Sequence, residues 1–122
     1  DERKGIFDDW NNEDINIINK HFENVFDNIK IDSNSFVCVM THNHDNDLKI
    51  TSKSVKKQVK YLGMIGSVRK LAKFKKRMLE NDISEDEFNK IDCPMGLKIA
   101  CETPQEIAIS IIAKLIDVRA NN

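Results

Sequence analysis

An α/β fold with a mostly parallel sheet flanked by helices is predicted by three observations on this chain of 122 residues. Short apolar runs rich in β-branched and aromatic residues alternate with stretches whose apolar residues recur at helical spacing. No hairpin signal separates the apolar runs, so their connections read as parallel crossovers. The stretch Tyr61-Leu62-Gly63-Met64-Ile65-Gly66-Ser67-Val68-Arg69-Lys70 reads as a buried strand passing through two glycines into a basic helix. Such an alternation is the pattern of a Rossmann-like sheet, here as a single domain over residues 1–122.

Composition narrows the class. The chain is 40% hydrophobic and 32% charged with a formal net charge of -1, which suits one soluble domain with a single core. Near-neutral charge argues against a dedicated nucleic-acid binder. Cys38, Cys93 and Cys101 share no metal-like spacing and lie in or beside apolar stretches, so they read as reduced, buried thiols. No apolar run approaches the roughly 20 residues that span a bilayer, and no signal-peptide pattern opens the chain. The expected setting is the cytoplasm, away from membranes.

Taken in order, a polar, turn-rich start leads to Ile15, Ile17 and Ile18, whose alternation predicts a short strand. Phe22, Val25, Phe26 and Ile29 predict an amphipathic helix over His21–Ile31. Ser35-Phe36-Val37-Cys38-Val39-Met40 is the clearest strand, apolar on both faces as a central parallel strand would be. A polar loop and a helix from about Asp45 to Val59 follow, then the strand through Gly63. Val68 to Glu80 places Val68, Leu71, Ala72, Phe74, Met78 and Leu79 on an apolar face against a lysine- and arginine-rich exterior. Ser84 and Glu87 form a capping-box pattern ahead of a short helix, and Thr103-Pro104-Gln105-Glu106 repeats it with proline at the first helical position. The helix beyond is apolar nearly all round and predicts cover on two sides.

Two loops at strand ends carry the candidate chemistry, because ligands of open α/β sheets collect outside the carboxyl ends of strands. In Thr41-His42-Asn43-His44-Asp45-Asn46-Asp47, the histidines and carboxylates offer ligands for a divalent metal or a base with its orienter. The competing structural reading makes Asp45 or Asp47 the N-cap of the next helix. At Gly63–Lys70, the glycines allow a turn or a close approach, and the first free amides of the helix favour an anion. Arg69 and Lys70 oppose the helix dipole by roughly 0.3–1 kcal/mol each, a placement that makes sense if an anion binds there. Lys73, Lys75, Lys76 and Arg77 read as a solvated face.

Three stretches read together resemble the carboxyl-terminal domain of the XdhC/CoxI family, the xanthine dehydrogenase accessory proteins. They are Val39–Leu48, Tyr61–Lys70, and Cys93–Ile99 continuing into Glu102–Ile111, in matching order from about Ser35 onward. The resemblance implies a Rossmann-like domain that binds the molybdenum cofactor, a molybdopterin carrying a phosphate or a dinucleotide made from it. It also implies assistance with sulfuration of that cofactor and its insertion into a molybdenum hydroxylase apoenzyme, with a cysteine desulfurase as a further partner. By this correspondence Gly63, Gly66, Ser67, Arg69 and Lys70 line an anion pocket, faced by Thr41, His42, His44 and Asp47. Asp1-Glu2-Arg3 resembles the acidic end of the family's second strand, where Asp1 would hold ribose hydroxyls. Lys98, Ala100 and Lys114 depart from the family's usual residues.

The family's first strand, glycine-rich loop and first helix have no counterpart here, which predicts a fragment whose apolar surfaces self-associate into a homo-oligomer. The leading expectation is a cofactor chaperone rather than an enzyme. The alternatives are an NAD(P)-binding oxidoreductase domain, which needs the glycine loop, and a metal-dependent enzyme built on His42 and His44.

Overall fold

The computed structural model describes residues 1–121 and divides the chain into two compact units, Asp1–Ile31 and the part from Asp32 onward. Among the described residues no helix is long and apolar enough to cross a membrane.

The first unit is built of turns, with one 3-10 turn at Phe22–Asn24. Neither the strand expected over Ile15–Ile18 nor the helix expected over His21–Ile31 forms. Ile15 and Ile17 remain 49% and 39% exposed, and a strand needs a partner for its backbone as well as an alternating pattern. His21 provides no side-chain cap, and a helix this short needs a packed face to offset the cost of nucleation. Asn19 instead ties the segment by donating to the carbonyls of Asp1 and Arg3 at 2.8 and 2.9 Å.

The second unit is a Rossmann-like parallel sheet. Strands β1 (Phe36–Val39), β2 (Tyr61–Met64) and β3 (Ile91–Asp92) stand in the order β1-β2-β3, with Phe36 opposite Tyr61 and Leu62 opposite Ile91. The clearest strand in the sequence, β1, therefore lies at an edge of this sheet, and β2 is central. Apolar residues on both faces report cover above and below a strand, not neighbours on both sides. At only two residues, β3 is too short to show any period.

Side chains alternate across the sheet as the pleat requires. Val37, Val39, Leu62, Met64, Ile91 and Cys93 point into a core shared with Leu48, Val55, Phe74, Met78, Ile83 and Phe88. These come from α1 (His44–Val55), α2 (Val68–Leu79), the segment after it, and α3 (Glu85–Phe88). Phe36, Cys38, Tyr61 and Ile65 point the other way and meet Met95, Ile111, Leu115 and Val118. The last three belong to α4 (Pro104–Ala120). Both expected capping boxes form, at Ser84 with Glu87 and at Thr103 with Glu106. Helix α1 stops short of the expected Val59, and Gln58 follows in the left-handed region at φ 52°.

Gly63 is required by packing. A Cβ there would lie 2.8 Å from Met95 Cβ and 2.5 Å from Tyr61 Oη, closer than such atoms approach. Gly63→Ala should therefore destabilise the protein by about 1–3 kcal/mol, the usual cost of overpacking. Urea unfolding should show this as a lower midpoint at an unchanged slope; a midpoint equal to wild type would refute the packing argument.

Candidate functional site

The carboxyl ends of β1 and β2 feed directly into α1 and α2, so the amino termini of both helices meet at one end of the sheet. Asn43, in extended conformation, caps α1 by accepting from the amides of Asp45 and Asn46 at 2.8 and 3.3 Å. The expectation that Asp45 or Asp47 caps this helix is thereby corrected. Both lie inside its first turns, where the Asn43 side chain already takes the free amides. Asp47 is instead fully buried, and its Oδ1 accepts from the Thr41 amide at 2.8 Å, tying the end of β1 to α1. Its other oxygen, Oδ2, has no hydrogen-bond partner and lies 3.5 Å from His44 Nδ1.

Ser67 caps α2 by accepting from the Lys70 amide at 3.3 Å. The Lys70 side chain returns across the gap between the helices, its Nζ 2.6 Å from His44 Nε2. Thr41, Asp47, His44, Lys70 and Ser67 thus form one chain of contacts. His42 and Arg69 are exposed nearby in sequence, while Gly63 sits inside β2 beneath Met95 rather than at a turn. Asp1 belongs to the first unit, where it pairs with Arg3 at 2.7 Å. No group of three or more metal-ligating side chains occurs among the described residues.

Gly66 differs from Gly63. A Cβ at Gly66 would meet only Cys93 Sγ at 3.5 Å, an ordinary contact, so packing does not demand a glycine there. It opens onto a cleft of about 500 Å³ whose lining includes Ile65, Val68, Cys93, Lys98 and Cys101. That volume falls within the roughly 300–1,000 Å³ of small-molecule sites, and its wall is mixed apolar and polar. A second cavity of about 500 Å³ lies at the opposite, amino end of β2, where Lys60, Lys90 and Lys114 contribute to its wall.

The loop from Cys93 to Cys101 is the part of the site that sequence reasoning undervalued. Both cysteines read as structural, yet both line the cleft. The loop is held by Asp92, whose Oδ2 accepts from the Tyr61 hydroxyl at 2.7 Å and from the Gly96 amide at 3.3 Å. Burial, followed by the Asp92 hydrogen bond and charge, raises the Tyr61 phenol well above its ordinary range. Burial also raises the Cys38 thiol. The Cys93 thiol is pushed up to about 11, first by burial and then by the charges of Asp92 and Asp47. No signal in the sequence marks this, because β3, which Asp92 ends and Cys93 follows, is only two residues long.

Comparison with known proteins bears on the family and the fold. The family model described as the XdhC Rossmann domain matches residues 5–115. The uncharacterized protein YqeB of Escherichia coli K12 is 32% identical over 93 residues, which is 76% of this chain and 17% of that protein. A probable xanthine dehydrogenase subunit from Bacillus subtilis 168 is 33% identical over 81 residues, 66% of this chain and 22% of that protein. The crystal structure of a xanthine dehydrogenase from Bacillus halodurans superposes with a TM-score of 0.70 at 31% identity, covering 86% of this chain and 30% of that one. The chain thus spans less than a third of the length of these relatives.

A thiol raised from 9.0 to about 11 has a neutral-pH thiolate population about a hundredfold smaller. Iodoacetamide at about pH 8 should label Cys93 at least tenfold more slowly in the folded protein than in urea, with the folded rate still climbing toward pH 11. Peptide mapping by mass spectrometry measures both rates, and equal labelling in the two states would contradict the assignment.

Proposed function

The chain belongs to the XdhC family through its Rossmann domain, and on that premise we propose that it serves the maturation of a xanthine dehydrogenase-type molybdenum hydroxylase by holding the molybdenum cofactor for sulfuration and insertion. The observation that carries this reading is the glycine at 66. It is not needed for packing, it borders a cleft of ligand size, and it stands immediately before a helix amino terminus. An open backbone beside free amides is suited to a phosphate, and the apolar wall of Ile65 and Val68 is suited to the face of a pterin.

In this reading Gly66 admits the ligand to the backbone and the first turn of α2 receives the phosphate. Lys98 brings positive charge to the wall of the cleft, whereas Lys70, Thr41, His44 and the buried Asp47 lie outside its lining. When bound, the cofactor supplies the molybdenum chemistry of the hydroxylase that receives it. The residues here bind, orient and release. Cys93 is not an activated nucleophile, since its raised pKa keeps that thiol protonated near neutrality. The apoenzyme of the hydroxylase and a cysteine desulfurase are the partners this role requires.

The test uses the protein purified from cells that make the cofactor. Molybdopterin should be retained and should reactivate cofactor-free hydroxylase. Gly66→Leu, which fills the cleft beside Cys93, should lower retention by about tenfold or more, an effect of ~1.4 kcal/mol or greater. Gly66→Ala should have little effect, and both variants should melt near the wild-type temperature. Absence of both retention and reactivation would overturn the reading, and retention of a nicotinamide dinucleotide instead would favour an oxidoreductase domain.

A further inference from the structure

The second cavity, of about 500 Å³ at the amino end of β2, has no role in the site beside Gly66, and its wall carries a charge excess of its own. Lys60 precedes β2, Lys90 precedes β3 and Lys114 lies in α4, so three segments remote along the chain each bring a lysine to one wall. Against them the lining holds one carboxylate, Asp92, whose Oδ2 already accepts from the Tyr61 hydroxyl and the Gly96 amide. The wall is left with an excess of two positive charges.

Other cations of this unit rest on carboxylates, Lys56 on Glu87, Lys75 on Glu85 and Arg77 on Asp45. Among the described residues Lys60, Lys90 and Lys114 have no such partner. Lys60 has only the Phe36 ring, whose centroid is 5.9 Å from its Nζ. Nor does a helix dipole account for the three, because the last turns of α1 and α4 hold Lys53 and Arg119 instead. Like charges around one cavity repel one another, and an anion bound among them relieves that repulsion.

The rest of the wall defines the other half of a ligand. Val59, Leu62, Ile91 and Val118 supply apolar surface, and Gln58 and Asn89 add neutral amides. Apolar walls with a few polar groups, enclosing roughly 300–1,000 Å³, are the usual form of a small-molecule site.

We propose that this cavity is a second ligand site, separate from the cleft beside Gly66, and that it takes a small organic dianion: an apolar body against Val59, Leu62, Ile91 and Val118, bearing two negative charges shared by Lys60, Lys90 and Lys114. A phosphate monoester and a dicarboxylate both present that charge. Strand β3 stands between the two sites, since Ile91 and Asp92 contribute to both walls. The second site is independent of what the first one holds.

The probes are 1-naphthyl phosphate, a dianion at about pH 8, and naphthalene-2,3-dicarboxylate, with calorimetry on the protein as the measurement. At least one should bind saturably, about fivefold or more tightly than 1-naphthalenesulfonate, which has the same ring and a single charge. The tighter of the two identifies the ligand class as phosphate or dicarboxylate. Lys90→Met and Lys114→Met should each weaken binding by about fivefold or more through loss of a charge-assisted contact. Lys73→Met, on the exposed face of α2, removes a charge outside the cavity and should leave affinity within about twofold of wild type. Gly66→Leu, which fills the other cleft, should also leave it unchanged, and thermal melts should show all the variants folded. No saturable binding of either dianion, equal affinity for the monoanion, wild-type affinity in both cavity variants, or equal weakening by Lys73→Met would each overturn the proposal. Loss of binding in Gly66→Leu would put the probe in the first cleft and overturn it as well.

Discussion

The sheet is thinnest at Gly63, and the arrangement of its second face depends on that. Every residue of β2 is buried, so no position on this strand can yield to a bad contact by moving into solvent. With no side chain at 63, Met95 and the Tyr61 ring close over the strand from the α4 side. The Met95 amide donates to the Met64 carbonyl at 3.1 Å, drawing the loop after β3 along the end of β2. Asp92 fixes the same loop from below through Tyr61 and Gly96. A larger residue at 63 would lift Met95, and the wall of the cleft beside Gly66 would move with it.

At the carboxyl end the governing constraint is electrostatic. Two helix amino termini meet there, and each exposes amides that favour negative charge. Asp47 answers part of this demand from inside, tying the Thr41 amide, but its burial leaves one oxygen without a hydrogen bond. Cys93 feels the same carboxylate and stays protonated. Lys70 then brings a positive charge to an end that is already positive, its Nζ 2.6 Å from His44 Nε2.

Much of the second unit was legible because its signals are local and redundant. Pro104 at the first helical position, with Thr103 and Glu106 in a capping box, states where α4 begins without reference to anything distant. Ser84 with Glu87 does the same for α3. The switch from strand to helix at Ser67 was equally plain. What the sequence concealed depends on partners remote along the chain. The two residues of β3 are a strand only because Leu62 and Gly63 lie beside them. Asn43 is the α1 cap because its side chain takes the amides of Asp45 and Asn46, while Asp47 inside the helix is tied to the Thr41 amide. The isoleucines at 15 and 17 alternate as a strand would, but alternation does not supply a hydrogen-bonding neighbour. The reach of Lys70 to His44 crosses 26 positions and leaves no trace in spacing.

Helix α4 shows how a face is chosen when hydrophobicity does not choose it. Its isoleucines surround the axis, and Ile109, Ile112 and Ile116 remain 62%, 56% and 50% exposed, contrary to the expected cover on two sides. The side turned to the sheet carries Ile111, Leu115 and Val118, and beside them Ser110, one of the smallest residues in the helix and only 4% exposed, meets the loop after β3. Gly96, at φ 107°, fits against it so closely that a Cβ would lie 2.6 Å from Ser110 Oγ. The Leu97 amide donates to the Ser110 carbonyl at 3.1 Å, and the Ser110 hydroxyl donates to the Ile107 carbonyl at 2.8 Å. A bulky apolar residue at 110 would gain burial on transfer from water, yet it would hold the helix off the loop and lose both the contact with Gly96 and the anchoring hydrogen bond. The apolar contacts of Ile111, Leu115 and Val118 and the close fit of Ser110 on Gly96 together set the orientation, and the remaining isoleucines face outward as its consequence.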